Sequence, residues 1–375
     1  MKKLSTIVPA VFLVLVLVAS PAMADSKPVE TSSACVLQSG EHNDGYAAFP
    51  SVTHTSSGRI LATWWLGTGH QSAGGKIMLS ELIHPRAQCG WSKPRIIASE
   101  QSQKYNIGPA GITEAGDGTL LIGVVRYEAQ SATSARDFRS YVIRSKNGGK
   151  TWGPLTPLKA GYGGDISYPA SLKTLPDGSV LAALYGNDNP DVAYDGKWYV
   201  RLARSTNGGR TWRPWGTGVP RVSGRQWAEP QLLVDSADGR RLLMALRYDA
   251  PRGASDTSGA FLVQSSDKGQ TWSTPRRITS KTSGMPTIAR LHNGLYALAY
   301  RDMDHKGFPF RYATSRDLTT WTMGNDVTGG SNRRMLYSGI ASIDRNNTVV
   351  VYGLENPESD PAGWASVHSA LIADG

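Results

Sequence analysis

Only two cysteines occur in 375 residues, Cys35 and Cys89. With no C-x-x-C pair and no Cys/His cluster, the chain has no zinc framework. A P-loop, a dinucleotide fingerprint and the short metal-binding motifs are missing as well, so no cofactor and no metal is expected. Basic residues are scattered rather than gathered into a patch, which argues against nucleic acid as a partner. No apolar stretch beyond residue 19 is long enough for a bilayer, which takes about 20 residues. A long helical pattern is also hard to find. What the chain does have is 41 glycines and a hydrophobic fraction of 40%. That is enough apolar material for a large core, and too little for a multispanning membrane protein.

The N-terminus reads as an export signal. Lys2 and Lys3 precede an apolar run over residues 7–19, and Ala22-Met23-Ala24 offers small residues for cleavage. Cleavage after Ala24 is expected, leaving a single domain over 25–375 in a secreted or periplasmic location. Removing 1–24 removes two lysines and no acids, so 40 basic residues become 38 against 30 acidic ones, a charge of +8. Such a surplus favours anionic partners. In an oxidising compartment the two cysteines can pair.

The octapeptide SKNGGKTW at 145–152 returns as STNGGRTW at 205–212 and SSDKGQTW at 265–272. Asn or Asp favours a turn by bonding the nearby backbone, and Gly supplies a positive φ. The Trp offers a flat face to pack between layers. A worn copy, SRDLTTW, stands at 315–321, and CGWSKP around Trp91 is a remnant of another. A second repeat runs out of phase with the first: an apolar strand, a Gly/Asn/Asp turn and another apolar strand. It opens at Phe49, Gly108, Tyr168, Glu229, Met285 and Tyr337. Prolines follow at 50, 109, 169, 230 and 286, with Ser338 in the sixth place. A period near 60 residues, repeated six times with about four strands each, predicts an all-β, six-bladed β-propeller of four-stranded antiparallel blades. The last blade is one strand short. Residues 33–40 resemble the outer-strand text of blade one, so an N-terminal strand is expected to complete blade six. That would bring Cys35 near Cys89 and allow a disulfide.

The octapeptide resembles the Asp-box of the sialidase (neuraminidase) superfamily, and the resemblance runs over nearly all of the mature chain. It implies a carbohydrate-active site with an arginine triad, a Tyr nucleophile with a Glu partner, and an Asp acid/base. Tyr337 in YSGI and Glu229 in AEPQ match the nucleophile and its partner. Arg247 in MALRYD matches the Arg expected some 18 residues after that Glu. Arg301 is the choice for a third Arg, with Arg311 and Arg334 as rivals. Two parts of the family pattern are missing. Ala48 stands where the first-blade Arg belongs, and the loop 66–75, which normally carries the Asp, holds no carboxylate.

The internal repeat gives an independent view of the site. Residues ending the second strand of each hairpin form a ring: Trp65, Arg126, Tyr185, Arg247, Arg301 and Gly353. Arg126, Arg247 and Arg301 are candidates to clamp a substrate carboxylate bidentately, or each pairs with a nearby acid. Tyr168 and Trp65 are candidate sugar-stacking faces, or packing residues. Asp165 and His70 are candidate proton donors, or ordinary loop residues. The expected function is an exported exo-glycosidase that hydrolyses a terminal acidic sugar, sialic acid or a relative. A polysaccharide lyase acting on uronates and a non-catalytic carbohydrate-binding propeller are the alternatives. The partner is an acidic glycan, and the protein is expected to be a monomer.

Overall fold

The computed structural model describes residues 29–30, 35–40, 45–87, 89–131, 135–188, 198–222, 225–249, 258–279, 285–302, 310–327, 334–356 and 364–373. The expected export signal at 1–24 lies outside them. No α-helix occurs among the described residues, and none can therefore cross a membrane. Antiparallel strands form consecutive units. Unit 1 holds Tyr46–His54, Ile60–Gly67, Lys76–Glu81 and Arg95–Ser99. Unit 2 holds Tyr105–Glu114, Leu120–Ala129, Ala135–Ser145 and Thr156–Pro157. Units 3, 4 and 5 open with Ser167–Thr174, Gln226–Val234 and Thr287–Arg290, and each has four strands in sequence order. Unit 6 holds Arg334–Ser342, Asn347–Asn356 and Trp364–Ala373, and Cys35–Gln38 pairs antiparallel with the last of these. A single parallel bridge, Ala365 to Tyr46, links units 6 and 1. Four-stranded antiparallel units of this kind are consistent with a β-propeller.

The octapeptides fold as the tight turns between third and fourth strands. In the first, Ser145 Oγ donates to Asn147 Oδ1 at 2.9 Å and accepts from Gly149 N at 2.9 Å. Asn147 Oδ1 also accepts from Thr151 N, and Trp152 Nε1 donates to the Gly149 carbonyl at 3.1 Å. The second and third copies repeat this pattern around Ser205 and Ser265. Gly149 has φ 87°, a region a side chain rarely adopts. The worn copy is one residue shorter and puts Leu318 at φ 66°. Its Trp321 Nε1 is buried and finds no acceptor among the described residues.

Each Trp packs where two units meet. Trp152 packs against a cluster that includes Leu61 and Ile77 of unit 1 and Ile122 and Ile143 of unit 2. Trp212 packs at units 2–3, Trp272 at units 3–4 and Trp321 at units 4–5. Two further apolar clusters join units 5 and 6, and units 6 and 1. Each fully buried Leu, Ile or Val in these seams stabilises the fold by roughly 1.5–3 kcal/mol. The first strands also touch in order, 1 to 2 through 6 and back to 1. At the seam between units 6 and 1, Cys35 and Cys89 are joined by a disulfide with Cα atoms 5.2 Å apart. Trp91 Nε1 donates to Ser369 Oγ across the same seam.

Candidate active site

Proline has no N–H to give a strand ladder, so a strand that contains one is interrupted there. Pairing in unit 1 stops at Ala48 and resumes at Ser51, one residue out of step, around Pro50. In unit 4 it stops at Ala228 and resumes at Gln231, around Pro230. Unit 6 has the same bulge between Met335 and Ser338 without a proline. A bulge turns its unpaired residues away from the alternating pattern of the strand. Phe49 at φ 57° and Glu229 at φ 50° sit in two of these bulges, and Tyr337 sits in the third. All three face one cavity of 1290 Å³ lined by the first strands of all six units.

Glu229 is 3% exposed. Its Oε1 accepts the Tyr337 hydroxyl at 2.5 Å and Arg247 Nη1 at 2.7 Å. Its Oε2 is buried and accepts no hydrogen bond among the described residues. A carboxylate has acceptor sites on both oxygens, so this one keeps capacity for a proton. Burial, and then the charge of Glu229, raise the Tyr337 phenol well above its ordinary value. Tyr337 is therefore protonated at rest, and its proton already points at the base that would receive it. Arg301, at the end of the strand Tyr296–Arg301, also lines the cavity and donates to the Met335 carbonyl at 3.2 Å.

Other expected site residues fall differently. Arg126 is absent from the cavity wall, where its chain neighbours Val125 and Tyr127 stand instead. In unit 2 the bulge comes two residues later, between Pro109 and Ile112. The Arg126 guanidinium lies 3.8 Å over the Tyr105 ring, with Nε 2.9 Å from Glu100 Oε2. It pairs with an acid rather than joining the other two arginines. Asp165 is also off the wall: Lys159 Nζ holds its Oδ2 at 2.6 Å on the surface. Trp65 lines the cavity but is 0% exposed, with Nε1 bonded to Asn106 Oδ1, so it offers no open stacking face. Tyr168 is half-buried on the wall and stacks on Tyr185 at 5.1 Å and 8°. Phe138 meets it at 4.4 Å and Trp198 at 5.7 Å. Of the rival arginines, Arg311 is turned to Asp302 at 3.1 Å, and the Arg334 side chain lies outside the described residues.

His70 lines the cavity on the loop that lacks a carboxylate. Its Nδ1 is 2.8 Å from the Tyr46 hydroxyl, which donates to Glu355 Oε1 at 2.6 Å. Tyr46 and Glu355 stand 309 residues apart, and no sequence pattern links them. Phe49 fills the wall next to buried Ala48, where the resemblance expects an arginine. Its ring meets Tyr337 edge-on at 4.8 Å and His70 at 5.2 Å. Lys173 was also unmarked in the sequence. It lines the cavity, and burial lowers its amine below the usual lysine value. Among the described residues, no group of three His, Cys, Asp or Glu is placed to hold a metal.

The repeated turns and the four-stranded units put the chain within the sialidase/BNR superfamily. More narrowly, it belongs to the BNR repeat-like domain family, whose pattern matches residues 58–341. No curated protein sequence matches the chain. Among solved structures, it is similar to a protein of unknown function from Dyadobacter fermentans. That match has 19% identity and a TM-score of 0.71, covering 92% of this chain and 98% of the other. The NanB sialidase of Streptococcus pneumoniae matches at 13% identity and TM-score 0.64, over 90% of this chain and 70% of its own. An α-L-arabinanase of Penicillium chrysogenum, solved with arabinobiose, matches at 12% and 0.60, over 93% and 99%. At these identities the likeness speaks for the fold.

Proposed function

We propose that this is an exported glycoside hydrolase that removes a terminal acidic sugar from a glycan, using Tyr337 as nucleophile and Glu229 as its base. The observation that carries the reading is one oxygen, Glu229 Oε1, within 2.5 Å of the Tyr337 hydroxyl and 2.7 Å of Arg247. A phenol with a pKa near 10 attacks only when a base takes its proton as the bond forms. Tyrosine nucleophiles are the known exception among glycosidases. Arg247 and Arg301 on the same wall suit a substrate carboxylate.

The six units are read as the blades of one closed propeller over 25–375, with Cys35–Gln38 completing blade six. The continuous cycle of strand contacts and the six inter-unit clusters support this reading. The domain follows a cleaved signal at 1–24 and works as a monomer outside the cytoplasm.

Hydrolysis of a fluorogenic sialic acid ketoside and of related acidic glycosides tests the proposal. Tyr337→Phe should lower kcat/KM by roughly 10⁴-fold or more and leave the melting temperature near that of the unaltered protein. Retained turnover in this variant would refute the nucleophile. One observation favours a second reading: His70, Tyr337 and Arg247 share a cavity, a set that also serves β-elimination from a uronate. New absorbance of an unsaturated uronate, without hydrolysis, would decide for the lyase. Glycan binding without turnover would leave a lectin-like protein.

A further inference from the structure

We propose that Phe138 builds a second subsite beside the nucleophile, one that takes the sugar to which the acidic sugar is linked. This rests on the glycosidase reading above. The third strand of unit 2, Ala135–Ser145, is 11 residues long, against 6 or 7 in units 1, 3, 4 and 5. Its extra length carries a further bulge. Arg126 pairs with Arg139 and Glu128 with Arg136, so Tyr127 alone opposes both Asp137 and Phe138. In units 1 and 3 to 6 the second and third strands pair without any shift. Asp137 takes the bulge at φ 54°, a left-handed conformation that Asp tolerates better than most residues. A bulge re-aims the side chain beside it, and here that side chain is Phe138, which lines the cavity. The extension is braced from outside. Asp137 Oδ1 accepts Arg139 Nε at 2.7 Å, and Arg139 forms a β-bridge to Ile166, just ahead of unit 3.

Phe138 ends a row of rings along one side of the cavity. It meets Tyr168 at 4.4 Å, and Tyr168 stacks on Tyr185 at 5.1 Å. The Tyr185 phenol is in turn near enough to Tyr337 to help raise its pKa. Tyr127, 5% exposed, backs Phe138 at 5.1 Å, while Phe138 itself stays partly exposed. A sugar seated on Tyr337, with its carboxylate toward Arg247 and Arg301, meets Tyr185 first. What reaches Phe138, two ring contacts further on, is the group joined to that sugar. The ring of Phe138 has no polar handle, and its π face suits the C–H face of a pyranose. Arg136 and Gln130, on the same wall, bring polar atoms to the edge of the subsite, where the hydroxyls of a second sugar would lie. The preferred substrate is therefore a disaccharide or longer glycan rather than a glycoside of a small alcohol.

The test compares two ligands, the methyl ketoside of sialic acid and sialic acid linked to lactose. Phe138→Ala should lower kcat/KM by roughly 10-fold or more on the lactose-linked substrate and by less than about 3-fold on the methyl ketoside. Phe138→Tyr keeps the ring and should restore the contrast. Asp137→Val puts a β-branched residue where the backbone is left-handed, and should show the same selective loss. Equal losses on both substrates, or none, would overturn the subsite. Calorimetry on Tyr337→Phe reads the contrast without turnover: the lactose-linked ligand should bind more tightly than the methyl ketoside, and adding Phe138→Ala should remove the difference. If the unaltered protein hydrolyses neither ligand, the glycosidase reading fails by itself, and the binding contrast still decides the subsite. Equal Kd values for the two ligands, or binding of neither, would overturn it.

Discussion

Oε1 of Glu229 takes a phenol and a guanidinium at once, and this crowding defines the site at the scale of single residues. Arg247 sets a guanidinium against the buried carboxylate, and the same oxygen accepts the Tyr337 proton. Position in the repeat was enough to suggest that Glu229 and Tyr337 meet, since both open inner strands. Direction was harder to read. The repeat puts Arg126 in the ring of Trp65 and Arg247, yet its neighbours Val125 and Tyr127 face the cavity, and Arg126 pairs with Glu100. Lys173 was silent because a lone lysine in a strand usually faces water. Its amine is lowered by burial alone, so charge is disfavoured in the folded state. The unfolded chain then binds more protons between the folded pKa and 10.5, and stability rises with pH across that window. Lys173→Met should therefore raise the melting temperature at pH 7, and the gain should shrink as pH approaches 10. Thermal melts of both proteins at the two pH values check this. A gain that grows with pH would contradict the sign.

Hairpins and their pinning turns are the element scale. The octapeptides were legible because each residue type has one physical task, and the bonds of Ser, Asn/Asp, Gly and Trp recur in all three full copies. Ser205 Oγ is the acceptor for the buried Gly209 N–H. Ser205→Ala leaves that donor unpaired, which should cost about 1–3 kcal/mol, read as a lower midpoint in urea. Ser→Ala in the worn copy, at Ser315, should behave alike, because Leu318 N uses the same oxygen. The bulges were not legible in this detail. A proline announces an interruption, but which side chain it re-aims depends on the register of the partner strand.

At the scale of the whole molecule, the seam between units 6 and 1 unites the two ends of the described chain. The sequence suggested it through a missing strand and two cysteines, and Cys35–Gln38 does pair with Trp364–Ala373. The Tyr46–Glu355 contact crosses the same seam, and nothing in the sequence marked it. The disulfide spans 54 residues. By chain entropy such a crosslink is worth about 4 kcal/mol. The double variant Cys35→Ser, Cys89→Ser should unfold at a correspondingly lower denaturant concentration.

The same pairing orders events in time. The strand made first waits for the strand made last, so a nascent chain carries an open edge until residue 373 has emerged. Tyr46 likewise lacks its Glu355 acceptor until the far end of the chain arrives.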